Sequence, residues 1–398
     1  MDPASLYRSP NALASHYSRF RVSERLLLTG HSHQAWPDRG FEAQSEAWLD
    51  AARYVDDKWD RAFARAQEVR QGFTRLLGDG GEGIALAPNT HELVVRLLSA
   101  LPLRTRPRLV TTDGEFHTIR RQLDRLAEEG LEVVRIAERP VETVSERLAR
   151  AVDHRTSLVL ASAVFFDTGR IARGLGEVAA QCRRHGATLL VDVYHALNVV
   201  PFSLGDEGLG DAFVVGGGYK YCQLGEGNCF LRLPPGTALR PVVTGWYSEF
   251  TALAERQEAG RVVYGQGGDR FAGATYDPTS HYRAAAVFEF FREQGLEPAL
   301  LREVSQHQMA VLASSFDALD LDPAAVTRDR TVPLEEVGGF LALRSPDAAR
   351  IARELHNRGV MIDTRGDVLR LGPAPYLSDL QLRDAIGVLG EIVLEKVT

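Results

Sequence analysis

The sequence predicts an α/β protein built on a mostly parallel sheet. Two observations carry this. From about residue 83 onward, short β-branched apolar runs alternate with amphipathic helical stretches, the pattern of strands joined by crossover helices. Runs such as "TSLVLASAVFF" are apolar almost throughout, as strands covered on both faces must be. The length, 398 residues, exceeds what one hydrophobic core usually fills. A large domain and a smaller one are therefore expected.

The elements follow in order. Residues 38–77 read as helix, with Trp48, Ala52, Val55 and Trp59 at helical spacing. "GIALAPNTHELVVRLLSAL" reads as strand, turn and a helix starting near Thr90, and "PRLVTTDGEFHTIRRQLDRLAEEG" repeats that unit. "LEVVRIA" is a strand before a helix at 142–152, and "TSLVLASAVFF" one before a helix at 173–185. "ATLLVDVYHA", "DAFVVGGGYK" and "GNCFLRL" are further strands. A helix near 281 leads into a C-terminal lobe whose "GGFLALR" and "MIDTRGDVLRLGP" suggest a small α+β unit. The expected division is an N-terminal helical segment at 1–80, a large α/β domain at 81–280 and a small α+β domain at 281–398. The first 80 residues wrap the large domain or join the C-terminal lobe.

Bulk properties exclude several function classes. Composition is that of a globular protein, 44% hydrophobic and 25% charged. The net charge of −7 disfavours broad nucleic-acid or anionic-membrane binding. Cys182, Cys222 and Cys229 form no CxxC pair, and their odd number argues against a disulfide framework. A reducing cytoplasm is the expected location. The N-terminus lacks a basic stretch followed by an apolar run, and no run of apolar residues is long enough for a membrane span.

In an open parallel sheet, ligands bind beyond the carboxyl ends of the strands. The residues expected there are Asn89-Thr90, Glu115-Phe116-His117, Asp167-Thr168, Asp192 with His195, and Tyr219-Lys220. Each has an ordinary reading when taken singly: a helix cap, a core ring, an ion-paired acid, a structural histidine, a solvated lysine. Together they form a set. Asn89 and Thr90 at a helix start suit an anion. Phe116 offers a flat face, Asp192 is a carboxylate on an apolar strand, and Lys220 is an amine at a strand end. Buried charges need partners, and pyridoxal phosphate supplies one for each: phosphate, ring face, ring nitrogen and aldehyde. Rival motifs fail. There is no GxxxxGK[ST] or HExxH, and no GxGxxG opens a first helix. "HSHQ" (31–34) with His195 lacks a carboxylate third ligand, so no metal is expected.

The chain resembles fold-type I pyridoxal-phosphate enzymes of the class V aminotransferase superfamily, and within it the kynureninase family. The resemblance spans roughly residues 24–380 and is strongest in "LLVDVYHALNVVPFSL…DAFVVGGGYKYCQLGEGNCFL". It implies the fold-type I fold, a large mostly parallel sheet domain with a smaller C-terminal α+β domain. It also implies that Lys220 bonds the cofactor and that Asp192 keeps the ring nitrogen protonated. His195 would lie beside the cofactor. Tyr219 would contact the phosphate and take part in proton transfer. "PNTH" and "EFHT" match family segments that place Asn89 and Thr90 at the phosphate and Phe116 on the ring. "TGWY" places Trp246 near cofactor and substrate. "GATYDP" places Thr275 at the phosphate of a neighbouring subunit, implying a homodimer with shared sites. "DVLRLGPAPY" places Arg370 on the substrate carboxylate, a task suited to guanidinium. "GHSHQAWP" stands for a family segment near the substrate, so His31, Ser32 and His33 are expected there.

The reaction implied is hydrolysis of the β–γ carbon bond of L-kynurenine or 3-hydroxykynurenine, a small-molecule amino-acid substrate. Its products would be anthranilate or 3-hydroxyanthranilate and L-alanine. A class V aminotransferase or lyase acting on a related amino acid is the alternative. The chain departs from the family at His31, His33, Gln34, Ile119, Glu226 and "FFDTG" (165–169), nearer the substrate rim than the cofactor. The glycines before Lys220 are expected to let the backbone pass close to the cofactor, and Gly225 and Gly227 to shape the turn after it.

Overall fold

The structure is a computed structural model that describes residues 1–81, 83–253 and 260–395. In chain order its elements begin with α1 (Ala4–Tyr7), β1 (Leu26–Leu27), α2 (Asp38–Tyr54) and α3 (Lys58–Leu76). Next come β2 (Ile84–Ala87), α4 (Thr90–Ala100), β3 (Arg108–Thr112), α5 (His117–Glu128) and β4 (Glu132–Ile136). They are followed by α6 (Val144–Ala151), β5 (Thr156–Ser162), α7 (Leu175–His185), β6 (Thr188–Asp192), β7 (Phe213–Gly217) and β8 (Cys229–Arg232). The last part holds α8 (Thr279–Gln294), α9 (Pro298–Ala318), β9 (Leu341–Arg344) and α10 (Ala348–Asn357). It closes with β10 (Val360–Met361), β11 (Asp363–Arg365), β12 (Val368–Leu371) and α11 (Asp379–Leu394).

The main sheet has seven strands in the order β2-β8-β7-β6-β5-β3-β4. β7, β6, β5, β3 and β4 run parallel, whereas β8 is antiparallel to both its neighbours. Because β8 reverses direction twice over, β2 ends on the same edge as the parallel strands. Both faces are covered, which explains the continuous apolar runs. Val110, Val159, Val191 and Val214 face one core. Leu109, Leu158, Leu190 and Val215 face the other, against Leu93 and Leu97 of α4 and Ile119 and Leu123 of α5.

A smaller antiparallel sheet, β11-β12-β9, packs with α9, α10 and α11. The chain start belongs with this lobe. β1 pairs in parallel with β10, Leu26 opposite Val360 and Leu27 opposite Met361. The pairing runs on as Gly372 N–H donates to Leu28 C=O at 2.8 Å and Gly30 N–H to Gly372 C=O at 2.7 Å.

Residues 38–77 are two helices where the sequence reads as one. The chain breaks at Val55, with φ 51°, followed by Asp56 and Asp57, whose side chains favour turns and caps over helix interiors. Trp48 and Val55 are 78% and 69% exposed. The face of these helices that is buried carries Ala43, Ala47, Ala62, Ala66, Val69 and Phe73, and α2 and α3 both pack on α8. Among the described residues, no helix is long and apolar enough to cross a membrane.

Candidate active site

Five strand ends converge on one edge of the main sheet, and each delivers a polar or aromatic group. Lys220 follows β7 by three residues and is buried. Its Nζ lies 2.7 Å from His195 Nε2. Three rings surround the amine: Tyr194 at 5.5 Å, Tyr219 at 5.6 Å and Phe116 at 5.8 Å from Nζ to ring centroid. Burial pulls the Lys220 amine down to about 7, and the Arg370 cation adds to the effect. Burial likewise holds His195 well below its ordinary value, with Lys220 contributing. The pair is thus a near-neutral amine against a neutral imidazole, ready to give or take a proton close to neutral pH.

Asp192 ends β6. Its Oδ1 accepts the Tyr194 backbone N–H at 2.8 Å, which leaves Oδ2 for another donor. Burial raises this carboxyl to about 6. A cation docked on Oδ2 would restore its charge.

Tyr219 sits between two rings. His33 stacks on it at 4.9 Å with planes 19° apart, and Tyr194 lies 4.9 Å away on a tilt. Burial raises its phenol to about 12. Ser32 Oγ lies 3.1 Å from His33 Nδ1, and His33 Nε2 lies 3.6 Å from Glu226 Oε1. His31 is fully buried, packed on the Phe340 ring at 4.8 Å. Its Nε2 stands 3.7 Å from Asp363 Oδ2, and neither ring nitrogen has a hydrogen-bond partner. Burial lowers its pKa to about 4.

Arg370 reaches the cluster from β12. Nη1 donates to Phe166 C=O at 2.6 Å and Nη2 to Asp363 Oδ2, while the buried Nε has no partner. Burial alone would raise the Asp363 carboxyl, but His31, Arg370 and Arg365 beside it hold it well below the ordinary range. Asp363 is opposite Arg370 in the β11-β12 register.

Asn89 caps α4, its side-chain oxygen accepting Glu92 N–H at 3.0 Å. The Thr90 backbone interacts with the Cys229 thiol, whose sulfur lies 3.5 Å from Tyr194 Oη. The α4 N-terminus thereby joins the tyrosine side of the cluster. Trp246 is not among the rings around the Lys220 amine; it and Thr275 belong to another cluster. Trp246 Nε1 donates to Thr275 Oγ1 at 3.3 Å within an exposed aromatic group that includes Tyr247, Phe250 and Tyr276. A cavity of about 780 Å³ lies between this group and Pro88, Glu226 and Gly227.

The glycines before Lys220 make room for the protein's own side chains. A Cβ on Gly217 would fall 2.4 Å from Tyr194 Oη, and one on Gly218 would fall 2.4 Å from Leu224 Cδ1. Gly225 and Gly227 turn the chain with φ of 68° and 88°. The sequence reading passed over Tyr194 and Asp363. Asp363 was findable from the hairpin in "DTRGDVLR", where a turn at Gly366-Asp367 sets 363 against 370. Among the described residues, no group of three or more His, Cys, Asp or Glu is placed to hold a metal ion.

The fold is that of the pyridoxal-phosphate-dependent class V aminotransferase and cysteine desulfurase structures. A mutant of the cystine lyase C-DES, with glycine covalently linked to its pyridoxal phosphate, superposes with a TM-score of 0.83 at 16% identity. That match covers 95% of this chain and 98% of the other. The Escherichia coli cysteine desulfurase CsdA gives 0.79 at 15% identity, covering 100% and 99%. The kynureninase C-terminal domain family matches residues 301–389. Among curated relatives, an uncharacterized Bacillus subtilis aminotransferase, YcbU, is 22% identical, covering 88% of this chain and 90% of its own. Isopenicillin N epimerase of Streptomyces clavuligerus is 28% identical (81% and 84%), and kynureninase of Xanthomonas euvesicatoria is 26% identical (78% and 76%). The donor set suits pyridoxal phosphate: an open Asp192 oxygen, a near-neutral buried amine, an aromatic face at 5.8 Å and a helix N-terminus.

Proposed function

We propose that this chain is a pyridoxal-phosphate-dependent hydrolase that cleaves the β–γ carbon bond of L-kynurenine or 3-hydroxykynurenine. The reading rests on one observation above others. The segment matching the kynureninase C-terminal domain carries Arg370, and Arg370 lies close enough to Lys220 to depress its pKa.

Pyridoxal phosphate, when bound, supplies a ring that takes up the electron pair left at the substrate α-carbon. The protein does the rest. Asn89 and Thr90 at the start of α4 would hold the phosphate, and Phe116 would pack on the ring face. Asp192 Oδ2 holds the proton on the ring nitrogen. Arg370, whose Nε has no partner, would bind the α-carboxylate and so orient the substrate for cleavage. Lys220 takes the proton from the α-carbon, which an amine titrating near 7 does without a large energetic mismatch. Tyr219 moves a proton at the γ-carbonyl oxygen as water adds there. His33, stacked on Tyr219, lines the approach with Ser32 and Glu226.

Trp246 and Thr275 serve a neighbouring subunit in this reading. The exposure of Trp246 itself, of Phe250 packed on it, and of Val242, Val243 and Leu253 nearby in sequence supports it. The expected solution species is a dimer; a sedimentation mass of one chain, 43.8 kDa, rejects it. Cysteine desulfuration is disfavoured, because Cys182, Cys222 and Cys229 are all buried and burial raises all three thiols.

The test is direct. Purified protein loaded with pyridoxal phosphate, given L-kynurenine or 3-hydroxykynurenine, is expected to form anthranilate or its hydroxy analogue with L-alanine. Bound cofactor with turnover of neither substrate rejects the hydrolase reading. A half-reaction that needs a keto acid selects the aminotransferase alternative.

A further inference from the structure

One buried acid is left without a role by this mechanism. Glu115 lies between β3 and α5, 2% exposed. Its Oε1 accepts Thr112 Oγ1–H at 2.6 Å and Ser162 N–H at 3.1 Å. Its Oε2 accepts Ser162 Oγ–H at 2.6 Å. Ser162 is the last residue of β5 and the register partner of Asp192 on β6. Glu115 therefore ties together the ends of β3 and β5, one strand from Asp192 and one residue before Phe116.

The charges facing it matter. β3 contributes only the Thr112 hydroxyl, β5 only the Ser162 hydroxyl and amide, and β6 the Asp192 carboxyl. Lys220 lies beyond, interacting with Asp192, and Glu138 faces the adjacent Gly114. Among the described residues no Lys, Arg or His forms an ion pair with Glu115. Two buried acids thus stand near each other, and the Asp192 charge works against that of Glu115.

We propose that Glu115 is a positioning residue for Asp192 that also balances its charge, holding a proton in the cofactor-free protein and releasing it when a cation docks on Asp192. The reasoning is electrostatic. Two neighbouring buried carboxyls resist ionising together. A protonated ring nitrogen on Asp192 Oδ2 removes the repulsion, and the three donors around Glu115 then favour its carboxylate form. Burial, with Asp192 adding to it, keeps Glu115 protonated up to about pH 7 in the free protein. The proposal rests on the cofactor reading above.

The experiment measures pyridoxal phosphate binding to cofactor-free full-length protein, wild type against Glu115→Gln, from pH 5.5 to 7.5. Titration calorimetry in buffers of different ionisation enthalpy counts the protons released. The wild-type affinity is expected to gain about tenfold over the variant's across that range, with up to about one more proton released. Glu115→Asn, equally unable to titrate, is expected to behave as Glu115→Gln does, and covers the case of a poorly folding glutamine variant. A pH-independent affinity ratio with equal proton counts overturns the proposal and leaves the cofactor reading standing. Wild-type protein that binds no pyridoxal phosphate overturns both.

Discussion

Lys220→Ala is expected to cut kcat by about 10²–10⁴-fold, the usual worth of a positioned acid or base, and more if the amine also bonds the cofactor. It is also expected to abolish the borohydride-reducible link between protein and cofactor, while pyridoxal phosphate still binds noncovalently. A reducible link that survives in the variant would remove Lys220 from its proposed role. Stability gives an independent readout. The Lys220 amine titrates near 7 in the folded chain against 10.5 for a free lysine, so the folded state binds fewer protons between those values. The resulting penalty is full below about pH 7 and fades as pH rises toward 10.5. Cofactor-free Lys220→Ala is therefore expected to lose several kcal/mol of its stability relative to wild type on going from pH 7 to 10.5. The loss of the lysine stem's packing is a constant offset, so the pH trend isolates the amine.

Asp192→Asn is expected to lower kcat/KM by about 10²–10³-fold, the typical worth of one preorganised electrostatic contact. The fold is expected to persist, because an asparagine carbonyl oxygen still accepts the Tyr194 N–H that Oδ1 accepts. What is lost is the negative charge that holds a proton on the ring nitrogen. The bound cofactor's absorbance is therefore expected to follow the unprotonated ring across the pH range. Activity within tenfold of wild type, with an unchanged spectrum, would show that another group protonates the ring.

The main sheet was legible because its strands are covered on both faces and so appear as unbroken apolar runs between turn residues. Lys220, His195 and Phe116 could be placed near one another on the same ground, since each follows a strand ending on the same edge. The break at Val55 was not legible. Trp48 and Val55 keep helical spacing but face solvent, and periodicity alone does not say which side of a helix is covered. Asp363 was missed for another reason. Its importance lies in being opposite Arg370, a relation that exists only once the hairpin register is fixed. The fully enclosed position of His31, by contrast, was out of reach. It depends on Phe340 and Asp363, over 300 residues away in the sequence.

The pairing of β1 with β10 has a consequence for how the chain is made. Leu26 and Leu27 leave the ribosome long before Val360 and Met361, which lie more than 300 residues further along the chain. The seven strands of the main sheet all lie between Ile84 and Arg232 and can assemble first. Until then the apolar "LLL" at 26–28 has no strand to dock on. At typical synthesis rates of about 5–20 residues per second, that wait lasts tens of seconds. The nascent chain is thus expected to be a chaperone client during that interval, through this unpaired leucine run.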